Sequence, residues 1–488
     1  LRIVARSPFS PIPAMKPVPR RTKIVTTLGP ATDMDGVLAG VIRAGADVVR
    51  INFSHGVAED HARRIRAVRE IAAAQGRDVG VLADLQGPKI RVESFKAGPV
   101  DLKEGAPFAL DTSLAKDAGD ISQVGCAYKS LPEDVKAGDV LLLNDGAIAM
   151  RVERVHGTRV ECIVTQGGVL SNRKGINKQG GGLSAAALTD EDRRNIRYAA
   201  EWGADFLAVS FPRTAADMHE ARLLLHEAGG HAHLVAKIER AEALENLAEI
   251  VAASDAVMVA RGDLGVEIGD AELPGWQKRI ISAAREGNKV VITATQMMES
   301  MITSPIPTRA EVMDVANAVM DGSDAVMLSA ETASGKYPVK TVEAMARVVV
   351  GAEAHPMPDL HMSDSHFQRI DEAVAMATAF TARRMHAQAL VALTESGSTA
   401  LMMSRVERHA PIYAMTRHER TRRRMALCRG VIPVAFDPIK PGGTTVKEAL
   451  ACLRDLGHVQ TGDRVLVTKG DFDGTGGGTN TLKILTVE

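Results

Sequence analysis

Two side chains on one short apolar run set the chemical question. In "AKIER", Lys237 and Glu239 are two residues apart, and on a strand that spacing points both to one face. The next apolar run ends in "ARGDLG", which supplies Asp263. Two carboxylates at the ends of adjacent strands can converge on one divalent ion. Mg²⁺ is held by that few because it keeps several waters and takes substrate phosphate oxygens. Alone, Lys-x-Glu reads as a buried ion pair. Asp263 in register, with Gly262 and Gly265 leaving room for backbone N–H groups to approach an anion, turns the reading to a metal site. Further on, "ITATQ" places Thr295 at a run's end, where its hydroxyl can bond a carboxylate, relay a proton or simply cap a helix.

Other stretches carry phosphate chemistry. In "RINFSHG", alternation puts Arg50, Asn52 and Ser54 on one face with Phe53 behind. That set suits a phosphate and a weakly held monovalent cation, or else a polar plug inside a barrel. "SNRKGIN" offers Lys174 on a basic turn, able to reach a phosphate or to stay solvated. In "ADLQGPKIRV", Asp84 ends an apolar run, and a Gly-Pro corner then leads to Lys89 and Arg91. "LTESGSTA" sets Thr394, Ser396, Gly397, Ser398 and Thr399 ahead of a helical run, the chemistry of a phosphate cradle at a helix N-terminus. The basic run 417–430 has three readings: support for that cradle, a nucleic-acid contact, or a solvated helix face, with its lack of aromatics against RNA. His226, His231 and His233 flank a Gly-Gly turn, which favours an exposed loop over a metal site.

These residues need elements to hold them. Eight short runs rich in Val, Ile and Ala occupy 23–29, 47–56, 79–87, 205–213, 233–240, 256–265, 289–296 and 325–332. Nearly continuous apolar runs mark strands buried on both faces. Stretches of helical period between them, such as 36–46, 61–76 and 273–289, end at or near glycine. The alternation predicts an α/β fold, a (β/α)₈ TIM barrel over 22–87 plus 188–355; a doubly wound open sheet fits the even order less well. Between the third and fourth strands, 88–187 loses the helical period and shows alternating runs with turn dipeptides. It is expected to form an inserted small β-barrel lid domain on the face where barrel active sites lie. After the linker 355–366, a second β/α rhythm predicts a C-terminal α/β domain over 356–488, with strands at 389–397, 411–416, 431–436, 464–470 and 482–488. Residues 1–21 form an N-terminal tail. Its first fourteen residues, with three prolines and two arginines, read as disordered or as upstream codons before Met15. No internal repeat is evident, only glycine clusters at 180–182 and 476–478.

The totals agree. A chain of 488 residues, 45% hydrophobic but only 3% aromatic, packs several aliphatic cores. Its 59 basic and 60 acidic residues exclude a chain-wide nucleic-acid binder, so any polyanion site is local. The four cysteines form no CxxC pair, which suits a reducing cytoplasm. No apolar run approaches the ~18 residues that span a bilayer, so no membrane partner is expected.

From Thr22 to the C-terminus the chain resembles the pyruvate kinases. "TKIVTTLGP", "NFSHG", "KIE", "VARGDLG", "ATQMMESM", "PTRAEVMDVANAV" and "GGTNTLKILTVE" follow that family's order and spacing. "GINKQGGGLSAAALT" and "TESGSTALMMSR" are closest to the bacterial form activated by AMP and sugar monophosphates. The resemblance implies phosphoryl transfer from phosphoenolpyruvate to ADP, giving pyruvate and ATP, with Mg²⁺ as cofactor or Mn²⁺ in its place. It assigns Lys237 to the phosphoryl group and enolate, Glu239 and Asp263 to the metal, and Gly262, Asp263 and Thr295 to the substrate carboxylate. Arg50 grips phosphate, and Asn52, His55, Arg91 and Lys174 fall at nucleotide positions. Thr394, Ser396, Gly397, Ser398 and Thr399 fall at the effector-phosphate loop. A homotetramer is implied, with 307–319 near a subunit contact. Ala330 and the pair Lys178-Gln179 depart from the commoner family pattern as subtype markers.

Potassium-requiring members of the family carry Thr where this chain has Leu85, and Glu where it has Lys89. Asn52, Ser54, Asp84 and the Leu85 carbonyl match the potassium-ligand positions. An ammonium on a flexible stem is a compact point charge that supplies what the ion would and repels it. The chain is therefore expected to work without K⁺, with Asp84 as the partner of Lys89. Two further readings stay open. A magnesium-dependent lyase or aldolase explains Glu239 and Asp263 but neither Lys174 nor the C-terminal cradle. A non-catalytic phosphometabolite sensor leaves Lys237, Glu239 and Asp263 without a task.

Overall fold

The computed structural model describes residues 19–355, 367, 369–406, 409–439, 444–470 and 478–488. The tail through residue 18, the linker at 356–366 and the glycines at 476–477 lie outside them.

The eight apolar runs become eight parallel strands closed into one barrel in chain order. They are β1 (Lys23–Thr27), β2 (Val48–Asn52), β3 (Gly80–Asp84), β4 (Phe206–Val209), β5 (His233–Ile238), β6 (Ala256–Ala260), β7 (Val290–Ala294) and β8 (Ala325–Leu328). Continuous β-branched and aliphatic sequence fits them because both faces are covered. Val25, Val48, Leu82, Val235, Met258 and Ile292 fill the interior, each buried. The expected helices form at Val37–Ala44, Ala58–Ala74 and Leu273–Glu286.

One run divides differently from the expectation. The strand stops at Ala260, and Arg261–Ile268 is a helix, so Asp263 rides on a helical first turn. Arg261 makes the corner. Its guanidinium pairs with both oxygens of Asp314 at 2.7 and 2.8 Å and donates to the Thr295 carbonyl at 2.6 Å. Gly262 and Gly265 are helical rather than loop residues. At Gly265 the missing side chain admits Leu273, whose Cδ2 would lie 3.1 Å from an added Cβ.

At the opposite, N-terminal end of the barrel the structure shows a repeat that the sequence reading missed. Asp47, Asp205, Asp255 and Asp324 each precede an even-numbered strand, each after Ala or Ser. Each carboxylate accepts the N–H of a residue on the preceding odd strand: Ile24 at 2.9 Å, Val81 at 2.9 Å, Leu234 at 2.8 Å and Val291 at 2.9 Å. Each also holds arginine. Asp47 takes Arg20 and Arg77, and Asp255 takes Arg222. Asp205 takes Arg69 and Arg423, and Asp324 takes Arg405.

Between β3 and β4 the inserted segment builds a six-stranded sheet and a two-stranded ribbon. They surround an apolar core that includes Phe108, Leu141, Ile148 and Val160. The C-terminal segment forms a five-stranded sheet, parallel except for the edge strand Thr479–Thr486. The basic run there settles around the short helix Glu419–Met425, and one of its expected roles describes part of it: Thr421 Oγ1 donates to the Glu395 carbonyl at 2.8 Å and Arg417 lies 3.5 Å from the Glu395 carboxylate, in support of the candidate cradle. Arg422 bonds Asp78, Arg423 bonds Asp205 and Arg424 donates to the His231 carbonyl, so the run docks this segment onto the barrel.

Candidate active site

At the C-terminal mouth of the barrel, charged side chains from successive strands meet out of water. Lys237, 9% exposed at the end of β5, places its Nζ 2.7 Å from Ser210 Oγ, 3.0 Å from Glu239 Oε1 and 3.3 Å from Asp84 Oδ1. Burial pulls its pKa down, but Asp84 and Glu239 outweigh that and hold it above the usual lysine value. Asp84 ends β3, fully buried, and also accepts Arg50 Nε at 2.6 Å. Despite burial, Lys237 and Arg50 keep its pKa low. Arg50 is oriented further by Thr27 Oγ1 at 3.1 Å.

Glu239, 2% exposed, accepts the Phe211 N–H at 2.9 Å. Burial raises its pKa; Lys237 opposes this, while the charges of Asp263 and Asp84 add to it. Two carboxylates that repel one another at the barrel mouth suit a divalent cation between them. Among the described residues no cluster of three or more acidic, His or Cys ligands exists, so the pair would leave the remaining coordination to water and substrate oxygens.

Asp263 also corrects an expectation: it, and not Asp84, is the partner of Lys89, at 3.1 Å. Lys89 lies beyond the Gly87-Pro88 corner and reaches across the mouth, whereas Asp84 faces inward and is taken by Arg50 and Lys237. Thr295, just past β7, has φ 69°, and Gln296 after it has φ 53°. A β-branched residue in the left-handed region is strained, and such strain gathers at functional sites. Its hydroxyl accepts the Gly262 N–H at 2.9 Å, which brings those two predicted residues together.

The nucleotide and cation positions lie around this centre. Asn52 Oδ1 accepts the Ser54 N–H at 3.1 Å, while His55 is exposed. Phe53 stacks on Trp202 at 6.0 Å, behind that turn as expected. Arg91 bridges to Gly175 and donates to the Arg173 carbonyl at 3.1 Å, which sets it beside Lys174 on the inserted unit. Lys174 shows no side-chain bond to the central group. The cleft between barrel and insert is lined by Lys89, Asn177, Phe211, Arg240, Asp263 and Glu267. The effector-loop candidates lie away from the mouth, at the start of the helix Ser398–Val406. There Thr394 Oγ1 accepts the Gly397 N–H at 2.9 Å and Thr399 Oγ1 meets Thr479 Oγ1 at 2.7 Å. Sequence reasoning missed Ser210 and Phe211, whose hydroxyl and N–H hold the Lys237–Glu239 pair.

A closed parallel barrel with an acidic pair and buried cations at its C-terminal mouth has the form of a barrel enzyme that takes an anionic substrate. The family model described as the pyruvate kinase barrel domain matches residues 19–342, and that of the pyruvate kinase alpha/beta domain matches 372–485. The chain belongs to the pyruvate kinase family. It is 58% identical over 475 residues to pyruvate kinase II of Salmonella typhimurium, covering 96% of this chain and 99% of that one. It is 52% identical over 475 residues to the pyruvate kinase of Haemophilus influenzae, with the same coverage of 96% and 99%. A pyruvate kinase structure from Cryptosporidium parvum superposes with a TM-score of 0.90 at 33% identity, covering 96% of each chain. The chain is therefore a glycolytic phosphotransferase, with phosphoenolpyruvate and ADP as substrates and pyruvate and ATP as products.

Proposed function

We propose that the transfer takes place at the Lys237 cluster, with Glu239 and Asp263 holding Mg²⁺ or Mn²⁺. The ammonium of Lys237, kept charged within 3.3 Å of two carboxylates, carries this reading. Glu239 and Asp263 would hold the cation, which would supply positive charge against the charge that builds on the phosphoryl group. Phosphoryl transfer asks the protein mainly for positioned positive charge. Lys237 meets the phosphoryl group and the enolate oxygen. Arg50, locked by Asp84 and Thr27, grips the phosphate. The Gly262 N–H, the Asp263 backbone and the Thr295 hydroxyl take the substrate carboxylate. Asn52, His55, Arg91 and Lys174 take ADP, with the inserted unit 88–187 closing as a lid on the barrel of 22–87 and 188–355.

The site works without K⁺, because two of the ligand positions, Asp84 and the Leu85 carbonyl, are engaged. Asp84 holds Arg50 and Lys237, the Leu85 carbonyl accepts Ser210 Oγ at 2.7 Å, and Lys89 brings a fixed charge to the mouth. The C-terminal unit, 356–488, takes a phosphorylated effector, AMP or a sugar monophosphate, at Thr394–Thr399. The active form is a homotetramer in the reducing cytoplasm. In the test, ATP and pyruvate are followed together from phosphoenolpyruvate and ADP. Lys237→Met is expected to lose both by at least about 10³-fold while remaining folded. Wild-type turnover in that variant would remove the assignment.

A further inference from the structure

We infer that Ser210 is a positioning residue for the phosphoryl-transfer step, aiming the Lys237 ammonium through a hydroxyl that can only accept from it. The inference rests on the reading of Lys237 above. Ser210 follows β4 directly and is 1% exposed. Its own O–H donates to the Leu85 carbonyl at 2.7 Å, which leaves its lone pairs to Lys237, also at 2.7 Å. The ammonium donates to Ser210 and forms ion pairs with Glu239 at 3.0 Å and Asp84 at 3.3 Å, so Ser210 is its directed hydrogen-bond partner. The two carboxylates are shared, Asp84 with Arg50 and Glu239 with the Phe211 N–H. Ser210 is the neutral partner, and it supplies direction where the carboxylates supply charge.

The backbone around Ser210 is built for this contact. Phe211 takes φ 56°, a left-handed conformation costly for a bulky residue. That twist turns its N–H onto Glu239 while the preceding side chain turns onto Lys237. One dipeptide thus fixes both members of the Lys-x-Glu pair from the neighbouring strand. Gly87 packs directly above, where an added Cβ would stand 2.7 Å from Ser210 Cβ. Displacing a reacting group by about 1 Å can cost about 10²-fold in rate.

Ser210→Ala, Ser210→Cys and Lys237→Met are compared for kcat, for KM of each substrate and for melting temperature. Ser210→Ala is expected to lower kcat about 10²-fold with the KM for ADP unchanged. Cysteine is bulkier than serine but a weak acceptor, so kcat should rank Ser above Cys above Ala whatever the order of melting temperatures. If the alanine variant does not fold, the cysteine variant decides, with a loss of about tenfold expected. Wild-type kcat in a folded Ser210 variant, or losses that track melting temperature, would overturn the inference. Lys237→Met separates the two readings. Activity in it removes the assignment of Lys237 and the role of Ser210 together, while an inactive Lys237→Met beside an unimpaired Ser210→Ala removes Ser210 alone.

Discussion

Lys89 stands 3.1 Å from Asp263, and its position changes what a charge at the barrel mouth does. The ammonium is spent on a candidate metal ligand, and Asp84 stays committed to Arg50 and Lys237. If this lysine supplies the monovalent charge, activity in potassium-free buffer should equal that with potassium added. Lys89→Glu should then create a potassium requirement, read as a several-fold rise in kcat/KM on titrating KCl, whereas strong activation of the unaltered protein would refute the role. The residues that announced themselves in the sequence were those whose type is costly to bury: Lys237, Glu239, Asp84 and Arg50. Ser210 gave no such signal. A serine inside "LAVSFPR" is cheap to bury, and its partners, Leu85 and Lys237, lie on other strands. The partner of Lys89 was equally hidden, because a Gly-Pro corner of unknown angle stands between strand and side chain.

Elements were legible where burial writes a pattern. Strands covered on both faces leave unbroken aliphatic runs, and all eight barrel strands formed where those runs lie. The helix Arg261–Ile268 was not legible, since it continues such a run without a break and its corner depends on Asp314, far along the chain. That helix carries Glu267, 5% exposed, on the seam with the inserted unit. Glu267 accepts the Ala241 N–H at 2.9 Å and meets Asn177 Nδ2 at 3.5 Å. Burial, with some repulsion from Glu242, pushes its pKa up to about 7 against the pull of Ala241, Arg240 and Asn177. The folded state therefore holds a proton there that the unfolded chain has lost, and this group's contribution falls as pH rises from the usual glutamate range to about 7. Glu267→Gln should abolish that part of the pH dependence. It should leave stability near pH 5 little changed and raise it at pH 8 by on the order of 2 kcal/mol in denaturant titrations. Equal stability of the two proteins at pH 8 would show that Glu267 titrates normally.

At the scale of the molecule, the C-terminal unit is tied to the barrel by arginines rather than by apolar area alone. Asp324 is fully buried and Arg405 nearly so, and removing one partner of such a pair leaves an uncompensated charge. Arg405→Leu should cost about 3 kcal/mol, and calorimetry should show the C-terminal transition moving away from that of the barrel. A single unshifted transition would mean that the pair contributes nothing to docking. Arg405 sits near the end of the helix whose start carries the effector-loop candidates, so the same variant bears on both.

The four aspartates at the foot of the barrel have a modular consequence. They behave as identical couplings on one chassis. Those at Asp47 and Asp255 are filled by arginines of the barrel and the segment leading into it, that at Asp205 is shared, and that at Asp324 is served by the C-terminal unit. A barrel built this way meets an accessory unit through arginines as well as through the apolar core that the two share. The same couplings therefore offer a ready mount for a different accessory, natural or engineered, at the end of the barrel farthest from the chemistry.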